Sequence, residues 1–427
     1  MDNNTINNDG IVPGRLQVMP IDSIIFGQQA KEILPKEIRK LKCKRAFLLV
    51  SSTLNTNTNE ITNIIEKLGK LYVGLYQNVP SHSPRNHVIM ASIEALKCNA
   101  DVLVTVGGGS LSDLAKAMCM VMKYLPTASK EEDLDCFVLG EIGNGIEKPM
   151  MPTRKHRDVI QISIPTTLSG GELTPYAGIT DNIRNTKHQL FAGIDHVPRL
   201  IILDPYLTLH TPEWLFISTG MRSVDHCTEC ICSLTSNVYT ETIAKSALSL
   251  LTKGLIGVKK HPKNIQYRMM CQIGMMNAGS LITSRVAFGA SHAIGHILGA
   301  VGDVPHGHCS CVMLPYVLYY NYKYGGKICQ EKQKMVCEAM MESATNDSNT
   351  AEEAHVLMDN FIRTLNMPRT LQDVGIRQDQ LVDISEKSMF DPWTRTNVSV
   401  KFDNMIYGPY TIIHMESSVK IMAPASS

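Results

Sequence analysis

The sequence has almost no charge imbalance: 41 Lys and Arg stand against 40 Asp and Glu, for a formal net charge of +1. That leaves no electrostatic footprint for nucleic acid or an anionic membrane. No apolar run approaches the roughly 18 to 20 residues that a membrane span needs. The first residues, MDNNTINNDG, carry no basic stretch followed by an apolar one, so no secretory signal is read there and a cytoplasmic location is expected. No internal repeat is found. The twelve cysteines then read as reduced thiols rather than a disulfide framework.

What is present is an ordinary globular composition, 44% hydrophobic and 19% charged, in 427 residues. That length exceeds the usual single core, so two domains are expected. Residues 1–14 are polar and Asn-rich and read as a frayed tail. From there to about Asp204, Val- and Leu-rich strands alternate with helix-period segments. The strands are Ala46–Val50, Leu71–Tyr76, Asp101–Val106, Asp158–Ile164 and Leu200–Asp204. Such alternation predicts a parallel α/β sheet with crossover helices. Residues 205–427 change character: Ser218–Thr235, Thr240–Val258, Ile265–Ile282 and Gln330–Ser343 have helical periodicity and few strand signals. A polar insertion, Lys123 to Arg157, suits a substrate-side loop with a short helix.

Two stretches carry chemistry. Directly after DVLVTV comes GGGSLSDLAKAM. Gly107, Gly108 and Gly109 let the backbone approach a ligand, and the next helix offers unpaired N–H groups beside Ser110. Strand, glycines and helix in that order cradle a pyrophosphate, although the spacing is neither GxGxxG nor a Walker A loop. Asp113 and Lys116 follow near the helix start. A second Gly/Thr-rich loop, Ile162 to Thr180, offers the hydroxyls of Thr166, Thr167 and Ser169 beside Gly170 and Gly171, suited to a ribose or phosphate.

The other stretch is Gly289 to Leu314, which holds four of the 14 histidines: His292, His296, His306 and His308. His292 and His296 at i, i+4 share one helical face. Gly299 and Gly302 are expected to turn the chain, and Pro305 to start a segment returning His306 towards that pair. This clustering marks a functional site.

With GGGSLSDLAK, IPTTLSGGE, TGMRSVDHCTE (Thr219 to Glu229) and SHAIGH…PHG in this order, the chain resembles the iron-containing alcohol dehydrogenase superfamily from about Arg15 onward. The resemblance implies a dehydroquinate synthase-like fold. Residues 15–204 would form a Rossmann-like NAD(P)-binding domain and residues 205–427 an all-helical catalytic domain, with nicotinamide and substrate meeting between them. Most members hold a divalent metal with one Asp and three His. The matching positions are Arg222, in place of the Asp, and His226, His292 and His306. Arginine offers no lone pair and stays charged. A guanidinium in the cation's place repels it at a cost of several kcal/mol in a buried site. Asp225 lies about 100° round the helix from His226, a poor replacement ligand. No catalytic metal is therefore expected.

This pattern resembles the maleylacetate reductase branch, which reduces a carbon–carbon double bond with NADH or NADPH. It implies a small, carboxylate-bearing substrate gripped by Arg222. His292 or His296 would supply the proton, with His306 and His226 beside them. The dinucleotide would rest on Gly107–Ser110, near Thr166 and Thr167, with Lys187 matching a family lysine. Ser51 stands where an acidic residue often reads the ribose 2′-hydroxyl, so NADPH is permitted. The superfamily often dimerises. The alternatives are a metal-dependent alcohol or aldehyde dehydrogenase, a non-redox biosynthetic enzyme on the same fold, and a binding protein that has lost catalysis. Cys227, Cys230, Cys232, Cys309 and Cys311 are read as core packing rather than a zinc cluster, and Met118, Met120 and Met122 likewise.

Overall fold

A computed structural model describes residues 14, 16–139, 141–142, 145–146, 152, 155–184, 186–193, 196–341 and 353–397. These fall into two compact units, one of residues 18–216 with 262–272, the other of residues 217–261 and 273 onward with those before 18. The expected tail lies outside the described residues apart from Gly14.

The first unit is α/β. Its strands and helices in chain order are β1 (Ser23–Phe26), α1 (Ala30–Lys40), β2 (Ala46–Val50), α2 (Ser52–Asn57), α3 (Glu60–Leu68), β3 (Tyr72–Tyr76), α4 (Arg85–Lys97), β4 (Val102–Gly107) and α5 (Gly109–Tyr124). Then come the two-residue strands β5 (Glu141–Ile142) and β6 (Gly145–Ile146), followed by β7 (Ile160–Pro165), β8 (Tyr176–Asp181), β9 (Thr186–Ala192) and β10 (Leu200–Leu203). Six strands pair in the order β1-β10-β7-β4-β2-β3, every neighbour parallel. Parallel strands covered on both faces must be apolar on both, and β2 and β4 are buried throughout. Alternation divides them: Phe47 and Leu49 enter the core built on α4 and α5, while Ala46, Leu48 and Val50 enter the one built on α1 and α3. Met118, Met120 and Met122 fill the former.

Leaving β2, the chain places β3 on one side and β4 on the other. The topology therefore reverses at the carboxyl ends of β2 and β4, where ligands bind in open α/β sheets. Val50 is abreast of Val106, and Gly107 of Pro165, so Ser51, the glycine run and the Thr-rich loop all leave from the same end.

Some strands of this unit are absent from the sequence reading. The short strand β1 lacks a strong apolar run and owes its place to pairing with β10. The end of the Gly/Thr-rich loop is strand β8, which pairs antiparallel with β9. Part of the Lys123–Arg157 insertion lies outside the described residues, and Glu131–Phe137 forms a short 3-10 helix.

The second unit is helical: α6 (Glu213–Cys232), α7 (Val238–Lys260), α8 (Ile265–Ile282), α9 (Ala290–Gly302), α10 (His306–Tyr324), α11 (Gly326–Met341), α12 (Ala354–Thr364) and α13 (Leu381–Ser388). The division between the units falls inside α6 and α8. Asn237 starts α7 with a reciprocal cap, its side chain accepting from Thr240 N–H and the Thr240 hydroxyl accepting from Asn237 N–H. Gly299 makes no turn; it lies within α9, and the chain turns at Asp303, which adopts a left-handed φ of 54°. Pro305 caps α10, as expected. All twelve cysteines are free thiols. No helix among the described residues is long and apolar enough to cross a membrane.

Candidate active site

The cradle begins where β4 runs out. Gly107 has φ 155°, and a Cβ there would lie 2.5 Å from Leu111 Cδ1. Only glycine suits that position. Gly108 caps α5, and a Cβ on it would meet Thr167 Cγ2 at 3.3 Å, while one on Gly109 would meet Ser169 Cβ at 3.2 Å. The two loops therefore face each other across bare glycines. Thr166 N–H donates to Gly107 O at 2.9 Å, and the Thr167 and Ser169 hydroxyls bond at 3.0 Å. Gly170, at φ 68°, turns the second loop. Ser51 precedes α2, and its N–H donates to Val106 O at 3.0 Å, beside the cradle.

Behind the glycines lies a frame. Lys116 is buried and donates to Gly171 O and, at 2.6 Å, to Tyr176 O. The Asp113 carboxylate accepts from Gly178 N–H at 3.1 Å, so both side chains join α5 to β8 and the loop before it. Burial pushes the Glu172 carboxyl up to about 7. A segment missed from the sequence closes the other side. Asn78, His82 and Ser83 all have positive φ without being glycine, Ser83 Oγ donates to Ser110 O at 2.7 Å, and His82 N–H donates to Ser110 Oγ at 3.3 Å. Lys187 lies in β9, with its side chain outside the described residues.

The histidine site is built of side chains. Helix α6 presents Arg222, Asp225, His226 and Glu229 at spacings of three and four, hence along one face. Helix α9 presents Ser291, His292 and His296, and α10 opens with His306. The rings of His226 and His292 lie 4.8 Å apart and those of His296 and His306 6.4 Å apart. Phe288 stacks on His292 at 4.5 Å, and Trp393 packs against His292 and His296 at 5.6 and 4.9 Å. Arg222, His226, His292, His296, His306 and His308 all lie in this helical unit. The Arg222 Nη1 atom is 3.7 Å from where a Cβ on Gly295 would be.

Beneath the rings runs a layer of counter-charges. Glu229 Oε2 lies 2.7 Å from His292 Nδ1 and accepts from Gly289 N–H at 2.8 Å, while Oε1 accepts from Ser291 N–H at 2.8 Å. Ala290 N–H donates to Asn397 Oδ1 at 3.3 Å, so side chains satisfy the first amides of α9. Asp225 is fully buried, and its Oδ2 accepts from Ser310 Oγ at 2.6 Å, Ser291 Oγ at 2.9 Å and Arg222 Nη1 at 3.5 Å. Burial raises the Asp225 carboxyl, with Arg222 opposing, and burial together with Asp225 pushes Glu229 up to about 8. Burial first, and then the Arg222 charge, hold His226 and His292 well below the ordinary imidazole range. His292 Nε2 and Asp225 Oδ1 are buried without hydrogen-bond partners.

Could these residues hold a cation? Ligand atoms of Asp225, Glu229 and His292 lie within 4.8 Å of one another. The fit is poor. Both Glu229 oxygens already accept backbone hydrogen bonds, one of them also lies 2.7 Å from His292 Nδ1, and the Arg222 guanidinium stands 3.5 Å from Asp225 Oδ2. The cysteines near α6 and α10 do not help: burial pushes the Cys230 and Cys309 thiols up to about 12, away from the thiolate that binds metal.

Family models decide the kinship. Residues 22–205 match the iron-containing alcohol dehydrogenase model, and residues 216–406 match the C-terminal model of the Fe-containing alcohol dehydrogenase family. The chain belongs to the iron-containing alcohol dehydrogenase family. It is therefore an oxidoreductase with a nicotinamide cofactor, and the cradle, with its bare glycines and helix N-terminus, fits a dinucleotide's pyrophosphate. Among family relatives, it is 28% identical over 380 residues to dehydrogenase FUM7 of Gibberella moniliformis, covering 84% of this chain and 88% of that one. It is 27% identical over 302 residues to maleylacetate reductase of Burkholderia cepacia, covering 70% and 74%. The solved maleylacetate reductase of Agrobacterium tumefaciens shares the fold, with a TM-score of 0.74 at 22% identity over 95% of this chain and 98% of that one.

Sequence reasoning missed Glu229, Ser291, Ser310, Phe288, Trp393 and Asp391 as parts of the site. Glu229 was legible in principle, since it repeats the α6 face one turn beyond Asp225. Asp391 and Trp393 carry no local signal, because only the fold brings residue 391 to residue 296.

Proposed function

We propose that this chain is an NAD(P)H-dependent reductase of an activated C=C or carbonyl group in a small carboxylate-bearing substrate, working in the manner of maleylacetate reductases and without a metal. The observation that carries this reading is Arg222. Its side chain is only 13% exposed, and among the described residues only Nη1 is engaged, by two contacts at 3.5 Å to Asp225 and Ser310. A guanidinium held among imidazoles and so loosely partnered is an anion receptor. A bidentate carboxylate on it is worth about 1.5–3 kcal/mol.

The residues divide the work as follows. Gly107, Gly108, Gly109 and Ser110 hold the pyrophosphate, with Thr166, Thr167 and Gly170 opposite and Asp113 bracing the helix. Ser51 carries no charge to repel a 2′-phosphate, so both dinucleotides are accepted. The dinucleotide, when bound, supplies hydride. Arg222 and His306 hold the substrate carboxylate and the negative charge that develops on its oxygen. His226, kept neutral by burial and Arg222, packs beside His292 without adding a second positive charge.

A second reading has one observation in its favour: the Asp225, Glu229 and His292 ligand atoms within 4.8 Å of each other. On that reading the chain is a metal-dependent alcohol or aldehyde dehydrogenase. Chelator-treated protein, assayed by loss of reduced-nicotinamide absorbance with maleylacetate and then with simple aldehydes, separates the two. Turnover of maleylacetate that survives chelation is expected. Aldehyde turnover restored only by zinc or iron would overturn the metal-free reading.

A further inference from the structure

We infer that Asp391 is a positioning residue that makes His296, and not His292, the proton donor of the reduction, an assignment that rests on the reductase reading above. The two imidazoles lie one turn apart on α9 yet sit in opposite surroundings. His292 is fully buried, holds Nδ1 2.7 Å from Glu229 Oε2, and keeps a bare, unpartnered Nε2. No solvent reaches that ring, so a proton given from it could not be reloaded after turnover. His296 is 37% exposed at its side chain, and its Nδ1 lies 2.9 Å from Asp391 Oδ2.

Asp391 is itself fixed. Its Oδ1 accepts from Trp393 N–H at 2.9 Å, its side chain is 10% exposed, and the Trp393 ring lies against His296 at 4.9 Å. The carboxylate therefore takes Nδ1–H, the indole packs against the ring, and Nε2 is left on the far side from Asp391. In the protonated ring Nε2–H is the proton left to give. When the substrate takes up hydride from the reduced dinucleotide, a new C–H bond forms and the π pair is displaced towards the carbonyl. His296 Nε2–H protonates that pair, the N–H bonding electrons stay on Nε2, and Nδ1–H remains on Asp391. The substrate gains two electrons and two hydrogens, the dinucleotide is oxidised, and solvent returns the proton to His296.

The test compares wild type with Asp391→Asn, Asp391→Glu and His296→Gln, using steady-state kinetics and NMR of 15N-labelled histidine, with the His296 signals assigned from their loss in His296→Gln. Asparagine keeps an oxygen for Trp393 N–H but turns an amide N–H on Nδ1, so the His296 tautomer should switch. With it kcat should fall about 100-fold or more, while KM and the NADH dissociation constant stay within about twofold. Asp391→Glu should recover part of kcat, and Asp391→Asn added to His296→Gln should cost nothing further. A tautomer switch with unchanged kcat overturns the donor assignment. An unchanged tautomer, or equal losses in kcat, KM and NADH binding, overturns the positioning role. A wild-type enzyme that reduces no carboxylate-bearing carbonyl or alkene takes the donor role down with the reductase reading, while the ring-nitrogen signals still decide whether Asp391 positions His296.

Discussion

The glycine cradle and the histidine site are built on different principles. The cradle is mostly backbone: Gly107, Gly108 and Gly109 expose amides at the start of α5, and the side chains around them, Lys116 and Asp113, hold the loop and strand in place. The histidine site is almost wholly side chain, with two of its rings set against carboxylates that the fold brings from elsewhere: Glu229 for His292 and Asp391 for His296. A backbone site depends on local chain conformation, so one added methyl group can close it. A side-chain site depends on buried charge balance, so removing one partner strands another. The consequences of mutation should differ accordingly.

The largest effect is expected at Arg222. Arg222→Leu removes the carboxylate's partner and leaves Asp225 buried with only hydroxyl donors. Loss of that contact costs about 1.5–3 kcal/mol, roughly tenfold to 150-fold in kcat/KM for a carboxylate-bearing substrate, and the stranded Asp225 adds a separate cost to the fold. The melting temperature should fall as well, while the NADH dissociation constant, read by nucleotide fluorescence, should not change. If NADH binding falls in parallel, the two sites are not independent.

Gly107→Ala should act in the opposite sense. Its Cβ would lie 2.5 Å from Leu111 Cδ1 at a φ of 155°, so the cradle must shift. Overpacking of this kind costs about 1–3 kcal/mol, or roughly tenfold to 100-fold in NADH affinity. Once NADH is saturating, most of the turnover should return. Unaltered NADH affinity would mean that the backbone of this turn is not part of the binding surface.

The smallest effect sharpens the comparison from a histidine that has no carboxylate. His196, in the α/β unit, is buried with neither ring nitrogen hydrogen-bonded, and burial, with Lys123 and Lys116, holds it down at about 3. An imidazole whose folded value is depressed contributes stability that is present above the unfolded value near 6.5. That stability is lost as pH falls towards 3, because the unfolded chain takes up the proton first. The slope is at most about 1.4 kcal/mol per pH unit. His196→Phe should therefore flatten the fall in melting temperature between pH 7 and 5 while leaving activity at pH 7 unchanged. An identical acid slope in the variant would show that His196 is not the group responsible.

How much of this was legible in the sequence follows the same division. The strands β2 and β4, the glycine run and helix α8 were readable because apolar alternation, buried runs and glycine punctuation act over neighbouring residues. The turn after α9 was misplaced, since Gly299 suits a turn but is equally tolerated inside a well-packed helix, and Asp303 supplied the left-handed residue instead. The pairing of β8 with β9 was missed because its partner lies across a turn in which polar residues hide the strand pattern.

At the histidine site the sequence by itself determined which imidazoles share a helix face and that a guanidinium stands four residues before His226, because helical spacing is local. It left His292 and His296 equivalent. Only the tertiary structure gives them different surroundings, by setting Glu229 against one buried ring and Asp391 against one partly exposed ring. The physical reason is that a histidine's tautomer and its access to protons depend on the partner at Nδ1 and on solvent, and here those partners lie 63 and 95 residues away along the chain.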